Sequence, residues 1–408
     1  MRILVISHAY RPSLNPRAFR WTAITDHWAA QGHDVDVVCE PGHHTGPPQP
    51  GIGVHRVGRK IGAGELAGGG GEASREGLAK RAARGLWRAV RWPDHAATWV
   101  RPAKAEVRRL LRAHRYDLVI SSSLPFSCHL AGLEAKRVSP STRWIVDIGD
   151  PFGFSEGAPP NNIVLYGALN RRADRQALCT ADAVSVTTEE TEARYAQLFP
   201  ELASRITVIP PLLSPAFRMA GGKGKGDGVL RLVYVGTLYG DIRNPGPVLA
   251  AFRALLGTSI GGRIELHFYG SERGCETHFA PYSDLMGKRI FRHGLVPQEE
   301  AAAALGEAAA LVHIGNATAY QLPSKVVEYA AMARPIINFV SQPNDSSRRF
   351  FGQLEAVETV EASVATAPAT VSRLASFLEG GAMPDAAERE RLLASFSVPA
   401  IAERYLSL

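Results

Sequence analysis

The chain has 408 residues, 45% hydrophobic and 21% charged, which is the composition of a soluble globular protein. That length is too great for one ordinary core and predicts two domains of roughly 200 residues each. The net charge is +7, and residues 75–115 alone carry 12 Lys/Arg against three acids, or +9, so one segment holds more than the whole excess. Four cysteines (Cys39, Cys128, Cys179, Cys275) stand without C-x-x-C spacing, which argues for reduced thiols and against a zinc site.

The chain opens with RILVIS, a short apolar strand that is too brief for a signal peptide or a spanning helix, and a cytoplasmic location is expected. HAYRPSLNPR follows as a loop broken by Pro12 and Pro16. AFRWTAITDHWAAQG then has apolar residues at helical spacing and closes on Gly32, and HDVDVVCE is the next strand. This strand–helix–strand order opens a parallel sheet. The pattern repeats through YDLVISSS, a helix at HLAGLEAKR, and strands at RWIVDIGDPF, ADAVSVTT and ITVIPPLL. A glycine-rich stretch at Gly62–Ser74 reads as a mobile loop within this first half.

MAGGKGKGDG, residues 219–228, has linker composition. A second α/β series follows it, with strands at LRLVYVGTL, IELHFYGS, IFRHGLV, ALVHIGN and PIINFV. The organisation read from sequence is therefore a first doubly wound domain over residues 1–218 and a linker over 219–228. A second doubly wound domain covers 229–386, and a terminal segment over 387–408, helical on both sides of Pro399, packs back on the first domain. Two such domains facing each other would place both sets of strand C-termini at one cleft, where doubly wound sheets bind ligands.

QLPSKVVEYAAMARPIINF, residues 321–339, carries the first chemical signal. Pro323 suits the first helical position, and the N–H groups of Ser324, Lys325 and Val326 then lack intrahelical partners. Partial positive charge from the helix dipole and the full charge of Lys325 would favour a phosphate there. Spacing puts Ser324, Lys325 and Glu328 on one side of the helix, and the other reading is an exposed Lys325–Glu328 pair of little energetic weight. Arg334, ahead of Pro335, should end the helix. A second signal is TLYGDIRNPG, where a turn holding Gly236 and Gly240 leads to Arg243 just before a helix. It is neither a Walker loop nor a dinucleotide fingerprint. Two anion-holding arrangements on successive strand ends point to a diphosphate.

LVYVGTLYGDIRNPGPVLAAF, LHFYGS, FRHGLVPQEEAAAAL and LPSKVVEYAAMARPII follow one another in an order and spacing that resemble family 4 glycosyltransferases of the GT-B fold. RILVISHAYRP, YDLVISSSLPFSCHLAGL, WIVDIGDPF and ADAVSVTTEE resemble the acceptor domain of bacterial members that build surface polysaccharides. The resemblance implies an α/β GT-B architecture of two Rossmann-like domains and transfer of a sugar, with retention, from a nucleotide-diphosphate donor, UDP above others. The acceptor would be a glycan or a lipid-linked glycan. It implies donor contacts at Gly236, Thr237, Arg243, His293, Leu295, Gln321, Leu322, Ser324, Lys325 and Glu328, with Glu328 on the donor ribose. Asp150, Arg243 and Lys325 are the implied catalytic groups, and no metal is implied. The pattern departs from the family in four places. The first of its two glutamates falls at Tyr320, one phosphate-holding cation falls at Thr237, and the basic residue after the central strand of the first domain falls at Gly149. LNPR replaces the glycine pair of the first loop, which lets Arg17 face the same side.

Other residues have less chemical readings. Asp147 reads as a buried strand or turn residue, and Asp150, ahead of Pro151, as either a catalytic group or a turn former. His8 reads as a solvated loop histidine, His129 as packing, and His293 as lining the side where the donor base would sit. REGLAKRAARGLWRAVRW mixes cations with Trp87 and Trp92. It suits either an interfacial helix on an anionic membrane or a solvated basic helix packed by its tryptophans. No nucleic-acid recognition motif accompanies the charge. Two further function classes stay open beside sugar transfer: a nucleotide-sugar epimerase, and a non-catalytic nucleotide-sugar binder.

Overall fold

The computed structural model describes residues 1–13, 15–42, 49–59, 91–154, 159–213, 227–240, 243–272, 274–316, 322, 324–381 and 383–408. The glycine-rich stretch 62–74, most of the linker and the part of the basic segment from 75 to 90 lie outside them. Among the described residues, thirteen strands form two wholly parallel sheets. In the first, β1 (Arg2–Ser7), β2 (Asp34–Cys39), β3 (Ile52–Arg56), β4 (Leu118–Ser122), β5 (Arg143–Ile148), β6 (Ala183–Val186) and β7 (Ile206–Val208) run in the order β3-β2-β1-β4-β5-β6-β7. In the second, β8 (Leu230–Val235), β9 (Ile264–Tyr269), β10 (Ile290–Gly294), β11 (Ala310–Ile314), β12 (Ile336–Val340) and β13 (Val357–Glu361) run β10-β9-β8-β11-β12-β13. Both are Rossmann-like, because strand order reverses beside the first strand of each half, at β1–β4 and β8–β11.

The central strands are near-continuous apolar runs because helices cover both faces of a parallel sheet. In β1, Ile3 through Ile6 are completely buried. Ile3 pairs in register with Val35 on one side and Leu118 on the other. The two strands that the sequence did not reveal, β3 and β13, are edge strands. IGVHR and VETVE are half-exposed, so they carry polar residues and lack the apolar signal of a buried strand.

Contacts divide the chain into two units, Met1–Pro210 with Val398–Leu408, and Pro211–Ser397. The last two helices therefore belong to different units. Ala386–Ala394 sits in the second, where Leu393 and Phe396 join the core of Val326, Val327 and Tyr329. Val398–Ser407 sits in the first, with Pro399 in its opening turn, where a missing N–H removes no helical hydrogen bond.

This terminal helix packs on the helix Pro16–Ala30. That element begins at Pro16, is capped by Asn15 accepting from Arg17 N, and is followed by Gly32 at φ +83°. Trp21 and Trp28 are buried and lie 5.2 and 6.5 Å from the Tyr405 ring, and Trp28 Nε1 donates to Ala402 O. Burial of three such rings contributes about 4 kcal/mol each before entropy is counted.

Candidate functional site

The second unit brings glycines together at the C-terminal ends of its strands. Gly270, which follows β9, adopts φ +128°, and an added Cβ would lie 2.0 Å from the carbonyl oxygen of Gly236 after β8. Gly270 N also donates to Gly294 O at 2.6 Å, at the end of β10. Backbone packs against backbone here, which only glycine permits at Gly270. Beside these ends lies a hollow of about 440 Å³ lined by Gly270, Ser271, Glu272, Arg292, Gly294 and Leu295. Arg292 Nε donates to Glu272 Oε1 at 2.7 Å, and its guanidinium stands over the Phe279 ring.

Leu295 is thus at the hollow, and the His293 ring is not among its lining groups. It stacks on Tyr269 at 4.0 Å, with its Nε2 3.0 Å from His267 Nδ1. Burial lowers the pKa of His293 and that of His267, the latter also opposed in its protonation by His293 and Arg231.

The turn after β8 is closed by backbone hydrogen bonds in both directions between Tyr239 and Arg243. It aims Arg243 at the next strand end, where Nε donates to Asn316 Oδ1 at 2.6 Å. Asn316 follows β11, is buried, and accepts at its own carbonyl from Gln342 Nε2 after β12. Three adjacent strand ends are tied through this asparagine. Thr237 contributes its carbonyl, which accepts from Tyr234 OH at 3.2 Å.

The helix Ser324–Ala331 starts at the same end of the sheet. Its Tyr329 is anchored to β8, because Val235 N donates to the Tyr329 hydroxyl at 2.8 Å. Burial first, then Tyr234 and Glu328, raise the pKa of that phenol, and Arg243 opposes them. Lys325 Nζ lies 3.0 Å from Glu328 Oε2, so the pair expected from spacing forms. It is not a fully exposed pair, because Glu328 is buried. Leu322 is half-buried against the core behind this helix, and Gln321 lies outside the described residues, with Tyr320 and Pro323. The helix stops at Ala331, earlier than Arg334, and Ala333 takes φ +52° before Pro335.

In the first unit, Asp147 on β5 is 1% exposed and gathers four donors. Ser185 Oγ and Tyr405 OH donate to Oδ1 at 2.9 and 2.7 Å. Ser122 Oγ and Arg17 Nη1 donate to Oδ2 at 2.9 and 3.3 Å. Burial by itself would raise this carboxyl, but Arg17 and Arg20, with the Tyr405 and Ser185 bonds, hold it below the usual carboxylate range. Two residues on, a Cβ at Gly149 would lie 0.9 Å from Arg17 Nη2. The glycine at this strand end is thus matched to a guanidinium arriving from the helix Pro16–Ala30. Asp150 follows, its carbonyl accepting from Ser123 Oγ at 3.4 Å.

His8 does not take the solvated position expected of it. It is 3% exposed, makes edge contacts with His95 and Trp99, and is held neutral, its pKa lowered to about 3 by burial and then by His95 and Arg91. His129 is buried as expected of packing, with Nδ1 2.8 Å from Ser121 Oγ. Among the described residues, no three His, Cys, Asp or Glu gather as a metal set, and no helix is long and apolar enough to cross a membrane.

Residues 18–211 match the family model described as "Glycosyl transferase 4-like domain". No curated protein matches the chain. Solved structures share its fold over nearly their whole length. Sucrose-phosphate synthase from Thermosynechococcus elongatus is 17% identical at TM-score 0.64, covering 100% of this chain and 97% of that one. An E. coli structure described as trehalose-6-phosphate bound with UDP-2-fluoro glucose is 13% identical at TM-score 0.64, covering 100% and 98%. WaaG, a glycosyltransferase involved in lipopolysaccharide biosynthesis, is 12% identical at TM-score 0.58, covering 99% and 98%. The fold is thus that of GT-B glycosyltransferases, as the sequence resemblance implied.

The first unit also holds a titrating carboxyl that the sequence did not reveal. Asp174 is 2% exposed and accepts from Tyr195 OH and Gly153 N, both at 3.0 Å, which ties down the loop beyond Asp150. Burial, opposed by those two bonds, raises its pKa to about 7. The folded state then binds this proton more tightly than the unfolded state. Its contribution is complete below the ordinary carboxylate pKa and is lost as pH rises to about 7. Asp174→Asn should therefore gain stability over the parent between pH 5 and 8, by about 3 kcal/mol at most. Melting temperature against pH checks this, and parallel curves for the two proteins would refute it.

Proposed function

We propose that the protein is a retaining glycosyltransferase that moves a sugar from a nucleotide-diphosphate donor, UDP first among them, to a glycan or lipid-linked acceptor of the cell surface. The observation that carries this is the Arg243–Asn316 tie at glycine-rich strand ends, in a chain whose other unit matches a glycosyl transferase 4-like domain. The chemical demand is stabilisation of a leaving diphosphate, and fixed cations and amide dipoles meet it without reorganising during the reaction. Arg243 is already oriented by Asn316. Lys325 stands at the opening turn of a helix whose first N–H groups lack helical acceptors, and it can turn from Glu328 to a phosphate oxygen. Glu328 then keeps its carboxylate for the ribose hydroxyls. This role set needs no metal. The hollow beside Leu295 suits the base, and Asp150 and Arg17 in the first unit are assigned to the acceptor.

The test is incubation with UDP-, GDP- and TDP-sugars, with and without a bacterial lipid extract, followed by chromatography for free nucleotide diphosphate. Release of UDP that accelerates with the extract is the expected result. Interconversion of the sugar without any acceptor would establish an epimerase, and donor binding without release would establish a binder.

A further inference from the structure

The helix Ile163–Thr180 follows the loop that leaves β5, so its first turns lie at the end of the first sheet that also carries Gly149, Asp150 and Arg17. Those turns are unusual for a soluble surface. Val164 is 96% exposed, and Ile163, Leu165 and Leu169 are 51%, 58% and 42% exposed. Val164, Leu165, Ala168 and Leu169 fall on one face at helical spacing, opposite the buried Asn170, Ala173, Asp174, Ala177 and Leu178. One turn further along the same outer face come Arg171, Arg172 and Arg175, all exposed. Arg175 pairs with Glu201 at 2.7 Å. The helix has a single carboxylate, Asp174, which is turned inward to Tyr195 and Gly153. Its outer face therefore presents an apolar tip and a cationic collar with no acid of its own.

We propose that these turns form a docking surface for an anionic lipid bilayer, with Val164, Leu165 and Leu169 entering the headgroup boundary and Arg171 and Arg172 on lipid phosphates. A basic helix with such an apolar face lies in the interfacial plane of a membrane. Charge decides against a second copy of the chain. A two-fold contact through this patch would set arginine against arginine, whereas anionic headgroups complement them. The surface is distinct from the basic stretch 75–90. It deepens the functional reading in one respect: it would hold the acceptor end of the first unit against a lipid-linked acceptor, and that part rests on the transfer reading.

Flotation of the full chain with phosphatidylcholine vesicles, with and without phosphatidylglycerol, tests the proposal. The parent should float with the anionic vesicles and stay behind with the neutral ones. Val164→Ser/Leu165→Ser/Leu169→Ser should lower binding about tenfold or more at unchanged melting temperature, since all three side chains are exposed. Arg171→Gln/Arg172→Gln should lower it by a similar factor and flatten its salt dependence. A parent that never floats, a triple variant that floats like the parent, or a triple variant that only converts dimers to monomers overturns the proposal. Release of nucleotide from a UDP-sugar in the presence of the bacterial lipid extract is read in parallel. Its absence in a parent that floats would remove the transfer reading and leave the docking surface standing.

Discussion

Replacing Asp147 with alanine is expected to lower the melting temperature of the first unit by roughly 10 °C or more. The carboxylate is 1% exposed, and its removal strands the groups gathered on it. Ser122, Ser185 and Tyr405 lose an acceptor, and Arg17 loses its ion partner. Arg20 is 6% exposed, donates to the Tyr405 hydroxyl at 2.9 Å and to Pro210 O at 2.8 Å, and loses the nearby anion that balances its charge. Leaving a buried charge uncompensated costs about 3–5 kcal/mol, and each kcal/mol moves a unit of this size by about 2–4 °C. Asp147→Asn keeps the shape and one acceptor and should lose less. The sign with pH is fixed by the depressed carboxyl. Its contribution is complete above the ordinary carboxylate pKa and is lost as pH falls below it. Calorimetry near neutral pH decides. An alanine variant melting within about 2 °C of the parent, well short of the expected cost, would show that the four donors find equal partners elsewhere.

That network marks where sequence reading stops. The alternation of apolar strands and amphipathic helices, with a glycine-rich break between two series, made the α/β fold legible because burial of parallel strands leaves a local signature. β3 and β13 were illegible because an edge strand must carry polar residues on its open side. Asp147 read as a buried strand or turn residue, and it lies buried on β5. What could not be read is that Arg17 and Tyr405, 130 and 258 positions away, close on it. Such pairings depend on which elements pack together, and no periodicity records them. Gly149 is the same case from the other side. Its substitution looked like the loss of a cation, but the missing side chain is the space that the Arg17 guanidinium occupies. In the second unit the glycines, Arg243 and the Lys325–Glu328 pair were legible as types at strand and helix ends. Asn316 was not, since an asparagine after a strand reads first as a turn residue. Its position beside Arg243 follows only from the pairing of β8 with β11.

Arg243→Ala is expected to lower kcat/KM for the nucleotide-sugar donor about 100-fold, the loss typical of one preorganised donor to developing charge, about 2.7 kcal/mol. Melting temperature should fall only modestly, because Arg243 is half-exposed but its removal leaves the buried Asn316 Oδ1 without this donor. The division between kcat and KM carries the mechanistic content. If Arg243 only holds ground-state phosphate, KM rises and kcat stays. If it acts on the charge that grows as the sugar leaves, kcat falls and KM moves little. Asn316→Ala separates geometry from charge. It leaves the guanidinium in place but releases the 2.6 Å bond to Nε, so turnover should fall about tenfold through misorientation alone. Arg243→Lys restores charge without the fork that reaches Asn316, and should recover donor binding better than turnover. Lys325→Ala differs again, because it deprives the buried Glu328 carboxylate of its cation. That variant should lose stability as well as activity. Donor titrations and turnover both identical for the parent, Arg243→Ala and Asn316→Ala would mean that no phosphate is held at the ends of β8 and β11, and the transfer chemistry assigned to this unit would fall with it.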